Sequence, residues 1–169
     1  LSFLISHLFS LDKNMRNAII LSTGMYVPEQ VLPNSYFDKQ LGIDVSTWLE
    51  ESANIYQRHW CREDESTADL CVAAAQQALE RASLDPEALD LIIIATDTPE
   101  FVSPATASVV QHRLGAKNAG TFDLNTACAG FVTGVDIAAT YLRAQPRYRH
   151  ILVVGAYAMS KYLNQADKK

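Results

Sequence analysis

The chain has 169 residues, a net charge of -5, 49% hydrophobic residues and 20% charged residues. That is one domain's worth of a soluble globular protein, with enough apolar material for a core. The acidic balance argues against nonspecific nucleic-acid binding, and the apolar stretch Leu1 to Leu11 is too short to span a bilayer. That stretch has no cationic lead and no cleavage site, which makes it a poor signal peptide. Residues 1–15 read as an N-terminal extension, disordered or helical, with Met15 as a candidate natural start, and residues 16–169 as the domain. The three cysteines, Cys61, Cys71 and Cys128, are odd in number and match no zinc or CxxC spacing. Free thiols in a reducing, cytoplasmic compartment are the simplest expectation.

No internal repeat or Gly/Ser linker breaks the chain. Ala18 to Met25 reads as a first strand, ended by a turn at Tyr26 to Glu29. Asn34 to Leu41 predicts a short helix capped by Asn34 or Ser35, and Asp44 to Asn54 a second one around Trp48. Ser66-Thr-Ala-Asp69 resembles a capping box with Asp in the Glu position. The helix that follows carries Leu70, Ala74, Ala78 and Ala82 at helical spacing, with Cys71 expected in the core, and stops at Asp85-Pro86. Leu91 to Ala95 is a continuous apolar run, as in a strand buried on both faces. Ser103-Pro104 reads as a cap followed by proline at the first helical position, with Gly115 closing that helix. Thr121 to Asn125 is the next strand, Cys128 to Ala144 the next helix, and Ile151 to Val154 a further buried strand. From Ser66 onward the order α, β, α, β, α, β predicts an α/β fold, layered αβα around a mixed, mostly parallel sheet. The helix from Cys128 has only Asp136 as a charge before Arg143, so burial on all sides is expected.

The segment Thr121-Phe-Asp-Leu-Asn-Thr-Ala-Cys-Ala-Gly-Phe131 is the most informative in the chain. It places Cys128 at a strand-to-helix junction, where free backbone N–H groups and the positive end of a helix favour a thiolate. Ala127, Ala129 and Gly130 leave the sulfur open to a bulky substrate. The arrangement suits acyl transfer, with sulfur attacking a thioester and nearby N–H groups holding the oxyanion.

Asp-Leu-Asn-Thr-Ala-Cys-Ala-Gly-Phe closely resembles the nucleophile segment of the β-ketoacyl-acyl-carrier-protein synthase III family, among the thiolase-like condensing enzymes. The resemblance runs from about Arg16 to Lys169, through Gly24, Pro28, Trp48, Arg58-His59, Ser66 to Ala82, Leu91 to Thr96, Pro104, Gln111, Leu114-Gly115 and Ile151 to Gly155. It implies a thiolase-like N-terminal half in which Cys128 is the catalytic nucleophile. It also implies a cytoplasmic homodimer acting on acyl-CoA and malonyl-acyl-carrier protein, with no metal or redox cofactor. Trp48 matches a tryptophan that stacks on the coenzyme A adenine, with a core tryptophan as the competing reading, while Ser52 and Lys168 stand where the family carries arginines. Ser103 matches a phenylalanine that reaches across the dimer and caps the acyl pocket, so a starter longer than acetyl is expected unless Phe101 refills the space.

The family's catalytic His and Asn belong to a second half. None of His7, His59, His112 and His150 aligns with that histidine, so the chain reads as a fragment, a split-gene half or a truncation, inactive alone. Two alternatives stay open. One is a related polyketide, olefin or hydroxymethylglutaryl-type condensing enzyme. The other is a noncatalytic half needing a partner chain over the apolar helix.

Overall fold

A computed structural model of the chain describes residues 2–9 and 16–163. In chain order its elements are β1 (Ser2–Phe9), β2 (Arg16–Gly24), β3 (Gln30–Pro33), α1 (Asn34–Leu41), α2 (Ser46–Ala53), β4 (Gln57–Trp60), α3 (Thr67–Ala82), β5 (Leu91–Ala95), α4 (Thr106–Leu114), β6 (Gly120–Leu124), α5 (Gly130–Ala144) and β7 (His150–Gly155). They group into two compact units, Leu1–Tyr26 with Ser66–Tyr157, and Val27–Glu65 with Ala158–Lys169.

The first unit is a five-stranded sheet in the order β2-β1-β7-β5-β6. β5 pairs in parallel with β6 and β7, and β1 runs antiparallel between β7 and β2. Four of the five strands therefore point the same way, giving the mixed, mostly parallel sheet expected. The side-chain alternation of a strand explains the layering. Ile92 and Ile94 of β5 pack with Leu152 and Val154 of β7 against α3 and α4. Leu91, Ile93, Ile151 and Val153 turn the other way, onto Ala138 and Leu142 of α5. All five residues of β5 are buried, as its unbroken apolar run required.

Ser66 and Asp69 form the capping box at the start of α3, which lies so close to β2 that a Cβ on Gly24 would stand 2.1 Å from the Ala74 carbonyl oxygen. On the opposite face, a Cβ on Gly134 of α5 would stand 3.0 Å from Val153 Cγ1. These two approaches need glycine for want of space, not for backbone freedom.

Several expectations are corrected. Residues 2–9, expected inside a disordered or helical extension, are a strand within the sheet; β2 pairs along its whole length and β7 along Ser2–Ser6, which supplies partners for its backbone N–H and C=O groups. Ser103-Pro104 is a cis peptide in a loop, and α4 begins later, at Thr106. Asn34 does not cap α1; its side chain donates to the Ile55 carbonyl at 2.6 Å and accepts from Arg58 at 3.1 Å. The last helix, α5, is not buried all round. Gly130, Gly134, Ala138 and Leu142 face the sheet, while Val132 is 71% exposed and Asp136, Thr140 and Arg143 are exposed with it.

The second unit pairs β3 with β4 antiparallel, two short strands without a legible apolar alternation, beside α1 and α2. Arg58 on β4 stacks over Phe37 with its guanidinium carbon 4.0 Å from the ring centre. Trp48, on α2, is 65% exposed, which removes the alternative of a core tryptophan.

Candidate active site

β5 and β6 run parallel and end side by side, and in open α/β sheets ligands bind beyond such carboxyl ends. Two segments leave from there. After β5 the chain runs through a loop, residues 96–105, into α4. After β6 it turns through a short 3-10 helix, Ala127–Ala129, into α5. Cys128 is the central residue of that turn and is exposed. The expected helix start at Cys128 is thus displaced by two residues, to Gly130.

The turn is held by its own hydrogen bonds. The Ala127 N–H donates to Asn125 Oδ1 and the Ala129 N–H to the Thr126 carbonyl, both at 3.1 Å. Thr133, one turn into α5, donates its hydroxyl to the Ala129 carbonyl at 2.9 Å. Between these contacts, the Cys128 N–H has no hydrogen-bond partner among the described residues. Ala127 has φ of +47°, in the left-handed region that a non-glycine residue enters at a cost of about 1–2 kcal/mol. Two close contacts support the strained turn from below. Gly130 is buried where a Cβ would sit 3.3 Å from the Ala95 Cβ at the end of β5, and Phe131 covers Gly155 at the end of β7. An exposed sulfur beside an unused N–H, on a turn fixed by packing, can attack an acyl carbonyl and hold the resulting oxyanion.

The other predicted positions distribute as follows. Phe101 and Ser103 lie in the loop after β5, so they share the Cys128 end of the sheet; Phe101 is 51% exposed and Ser103 is exposed. Trp48 belongs to the second unit. Lys168 lies outside the described residues. The other thiols differ from Cys128: Cys61 and Cys71 are buried, and burial is the main cause that pushes the Cys71 thiol from 9.0 up to about 12. One residue of the site region was overlooked in the sequence. Asp123, on β6, accepts the Thr106 N–H at 2.7 Å and the Ala107 N–H at 2.8 Å, capping α4 from a neighbouring strand. An acid inside the apolar run Thr121 to Leu124 was the available signal.

Known proteins match this architecture. A profile of the family described as 3-oxoacyl-[acyl-carrier-protein (ACP)] synthase III matches residues 122–169, a span that includes Cys128 and α5. The chain resembles one half of a β-ketoacyl-acyl-carrier-protein synthase III. A β-ketoacyl-[acyl-carrier-protein] synthase III of Desulfitobacterium hafniense is 46% identical over 150 residues, 88% of this chain and 44% of the relative. The crystal structure of the 3-oxoacyl-[acyl-carrier-protein] synthase III of Aquifex aeolicus superposes with a TM-score of 0.81 at 36% identity, over 87% of this chain and 47% of that one. A priming β-ketosynthase from the R1128 polyketide pathway gives a TM-score of 0.81 at 35% identity, over 87% of this chain and 43% of that one. The chain spans about half the length of the curated relatives it matches. This thiolase-like likeness accounts for the layered sheet.

Proposed function

We propose that Cys128 is the acylation nucleophile of a 3-oxoacyl-acyl-carrier-protein synthase III-like acyltransferase of fatty acid biosynthesis, and that this chain forms about half of that enzyme. The observation that carries the reading is the exposed Cys128 with its unused N–H on the strained turn beyond β6. In the first step the Cys128 sulfur attacks the carbonyl of an acyl-CoA, the Cys128 N–H receives the oxyanion, and coenzyme A leaves as its thiol. Malonyl-acyl-carrier protein then loses carbon dioxide. The carbanion that remains attacks the acyl-cysteine carbonyl, which forms the new carbon–carbon bond and returns the Cys128 sulfur. A His and an Asn for this second step are expected from the part of the enzyme that this chain does not span.

Trp48, exposed on α2, suits adenine stacking, and Lys168 would serve the same coenzyme as a point charge. Ser103 leaves room for a starter longer than acetyl, with Phe101 as the neighbouring apolar wall. The free edge of β6 in the described sheet supports a homodimer paired through that strand, and the free thiols Cys61, Cys71 and Cys128 suit the reducing cytoplasm. Among the described residues no helix is long and apolar enough to cross a membrane.

The test is intact-mass spectrometry of the full-length protein containing this chain, incubated with acetyl-CoA and with octanoyl-CoA. An acyl adduct that disappears in Cys128→Ala is expected, with octanoyl accepted. No adduct on the full-length protein overturns the reading, and a strict acetyl preference overturns the longer starter. The similarity to a polyketide-priming β-ketosynthase favours one second reading, the same chemistry with a polyketide product, which product analysis separates.

A further inference from the structure

The helix that carries Trp48 has no apolar anchor of its own. None of the eight residues of α2 is buried, whereas α1 buries Asn34 and Phe37. Side chains of α1 hold α2 by hydrogen bonds instead. Asp38 Oδ1 accepts the Val45 N–H at 2.8 Å and the Ser46 N–H at 3.1 Å, and Asp38 Oδ2 accepts the Ser46 hydroxyl. Val45 is the N-cap residue of α2 and brings no side-chain cap; Ser46 is the first residue of the helix. At the other end Asn34, itself buried, donates to Glu50 Oε1 at 3.3 Å and to the Ile55 carbonyl at 2.6 Å. Asn34 and Asp38 are four residues apart on α1, hence on one face of it. They act as two clips, one for each end of α2.

Starting α2 does not require Asp38. Asp44 already serves as a local cap, since its carboxylate accepts the Thr47 N–H at 3.0 Å and the Thr47 hydroxyl at 2.7 Å. The bonds from Asp38 do something a local cap cannot: they fix the first turn of α2 against another helix. The Ser46 hydroxyl and the Val45 N–H also hold the Asp38 carboxyl below its ordinary range, so the acceptor is ionised at neutral pH. Trp48 lies in that first turn, two residues after Ser46, and is 65% exposed. No ring contact holds it among the described residues, so the helix beneath it sets its direction. We infer that Asp38 is a positioning residue for Trp48, clipping the first turn of α2 to α1 and so setting how much the adenine end of an acyl-CoA contributes to donor choice. The inference rests on the proposed stacking role of Trp48 for its ligand, and on the hydrogen bonds alone for the clip.

The experiment compares Asp38→Ala, Asp38→Asn, Trp48→Ala and the double variant Asp38→Ala/Trp48→Ala in the full-length protein containing this chain. One readout is amide hydrogen exchange over 44–53. The other is the ratio of Cys128 acylation rates with octanoyl-CoA and with octanoyl-N-acetylcysteamine, a thioester without the adenine nucleotide. Alanine keeps α1 helical and removes all three contacts. Asparagine keeps an Oδ1 for the two N–H groups and is the conservative control. Asp38→Ala is expected to speed exchange in α2 about tenfold or more, as befits loss of charge-assisted bonds. Trp48→Ala should lower the donor ratio about tenfold, the scale of one base stacked on an aromatic ring. Asp38→Ala should lower it by about threefold or more, Asp38→Asn by less, and the double variant no further than Trp48→Ala alone. A donor ratio that stays at the parental value while α2 exchanges faster would make Asp38 a structural clip only, and overturn the inference. So would unchanged exchange in Asp38→Ala, or a second full drop in the double variant. If Trp48→Ala keeps the ratio, the stacking role falls and the inference with it. If the unaltered protein takes up no acyl group from either donor, the acyl-transfer reading falls, and calorimetric titration with coenzyme A decides the inference instead: weaker binding by Asp38→Ala upholds it, and equal binding overturns it.

Discussion

Cys71 lies inside α3 with none of its surface exposed, while Cys128 stands open on the turn between β6 and α5. Around Cys71 the sheet face is closed: Ala68, Ala75 and Leu79 of α3 pack onto Ile92, Ile94 and Leu152. Around Cys128 the backbone is strained, one N–H is unused, and α5 leaves Val132 and Asp136 uncovered. The same side chain is thus a core atom in one region and an exposed thiol in the other, and packing makes the difference. A small polarisable side chain in a dry core behaves as a hydrophobe, whereas at an accessible turn it is a nucleophile.

The largest expected effect breaks the comparison outright. Iodoacetamide should label the folded protein at Cys128 in the fast phase, and Cys128→Ala should abolish that phase and the acyl adduct together. Cys71→Ala should leave both in place. Fast labelling of Cys71 in the folded protein would show that the α3 face opens and that accessibility does not separate the two thiols.

The two regions were unequally legible in the sequence, for a physical reason. Leu91 to Ala95, the capping box of Ser66 and Asp69, and the strand-turn-helix around Cys128 are local patterns; the first two are found where the pattern places them, and the third with its helix start moved on to Gly130. The start of α4 is not local. Ser103-Pro104 resembles a helix start, yet the carboxylate that satisfies the first-turn N–H groups comes from Asp123 on another strand, and so the helix begins at Thr106. Ser2–Phe9 likewise became a strand through partners, β2 and β7, that lie up to about 150 residues away in the chain. The exposure of Trp48 was undecided in the sequence for the same reason, since it depends on what the rest of α2 packs against. Resemblance to condensing enzymes singled out Cys128 as a candidate, but the strain at Ala127 and the unused N–H emerged only from the coordinates.

The buried thiol sharpens the comparison through pH. An unfolded chain releases the Cys71 proton near the ordinary 9.0, while the folded chain holds it up to about 12. Between those values the unfolded state binds fewer protons, so rising pH favours unfolding, and the stability present below 9 is lost toward 12. Denaturant unfolding at about pH 8 and about pH 10.5 should show the parent losing about 2 kcal/mol more than Cys71→Ala over that window. Parallel pH profiles for the two proteins would mean that the thiol is not held in a dry core.

The two glycine contacts rank the faces by rigidity. Ala at position 24 meets a backbone carbonyl oxygen at 2.1 Å and the Ala78 nitrogen at 2.8 Å, neither of which can move without shifting α3. Ala at position 134 meets the rotatable Val153 side chain at 3.0 Å. Gly24→Ala should therefore cost about 1–3 kcal/mol, the range for overpacking a closed core, and Gly134→Ala should fall at or below the low end of that range. Equal losses, read from denaturation midpoints, would remove the distinction between a rigid α3 face and a yielding α5 face.

Ala127→Gly is the smallest change in energy and the most direct probe of the reactive region. Glycine at φ +47° relieves about 1–2 kcal/mol of left-handed strain but adds about 0.4–1 kcal/mol of freedom to the unfolded chain. Stability should therefore rise by between about 0 and about 1.6 kcal/mol. Strain held at a turn aims the residue beside it, and Cys128 is that residue. A glycine releases the turn to other conformations, which loosens the placing of the Cys128 sulfur and N–H that the proposed acylation uses. Acylation by octanoyl-CoA should slow in a protein that is as stable as its parent or more so, while Ala129→Gly, outside the left-handed position, should not reproduce that combination. If Ala127→Gly acylates at the parental rate, the strain is incidental, and the difference between the two thiols reduces to exposure alone.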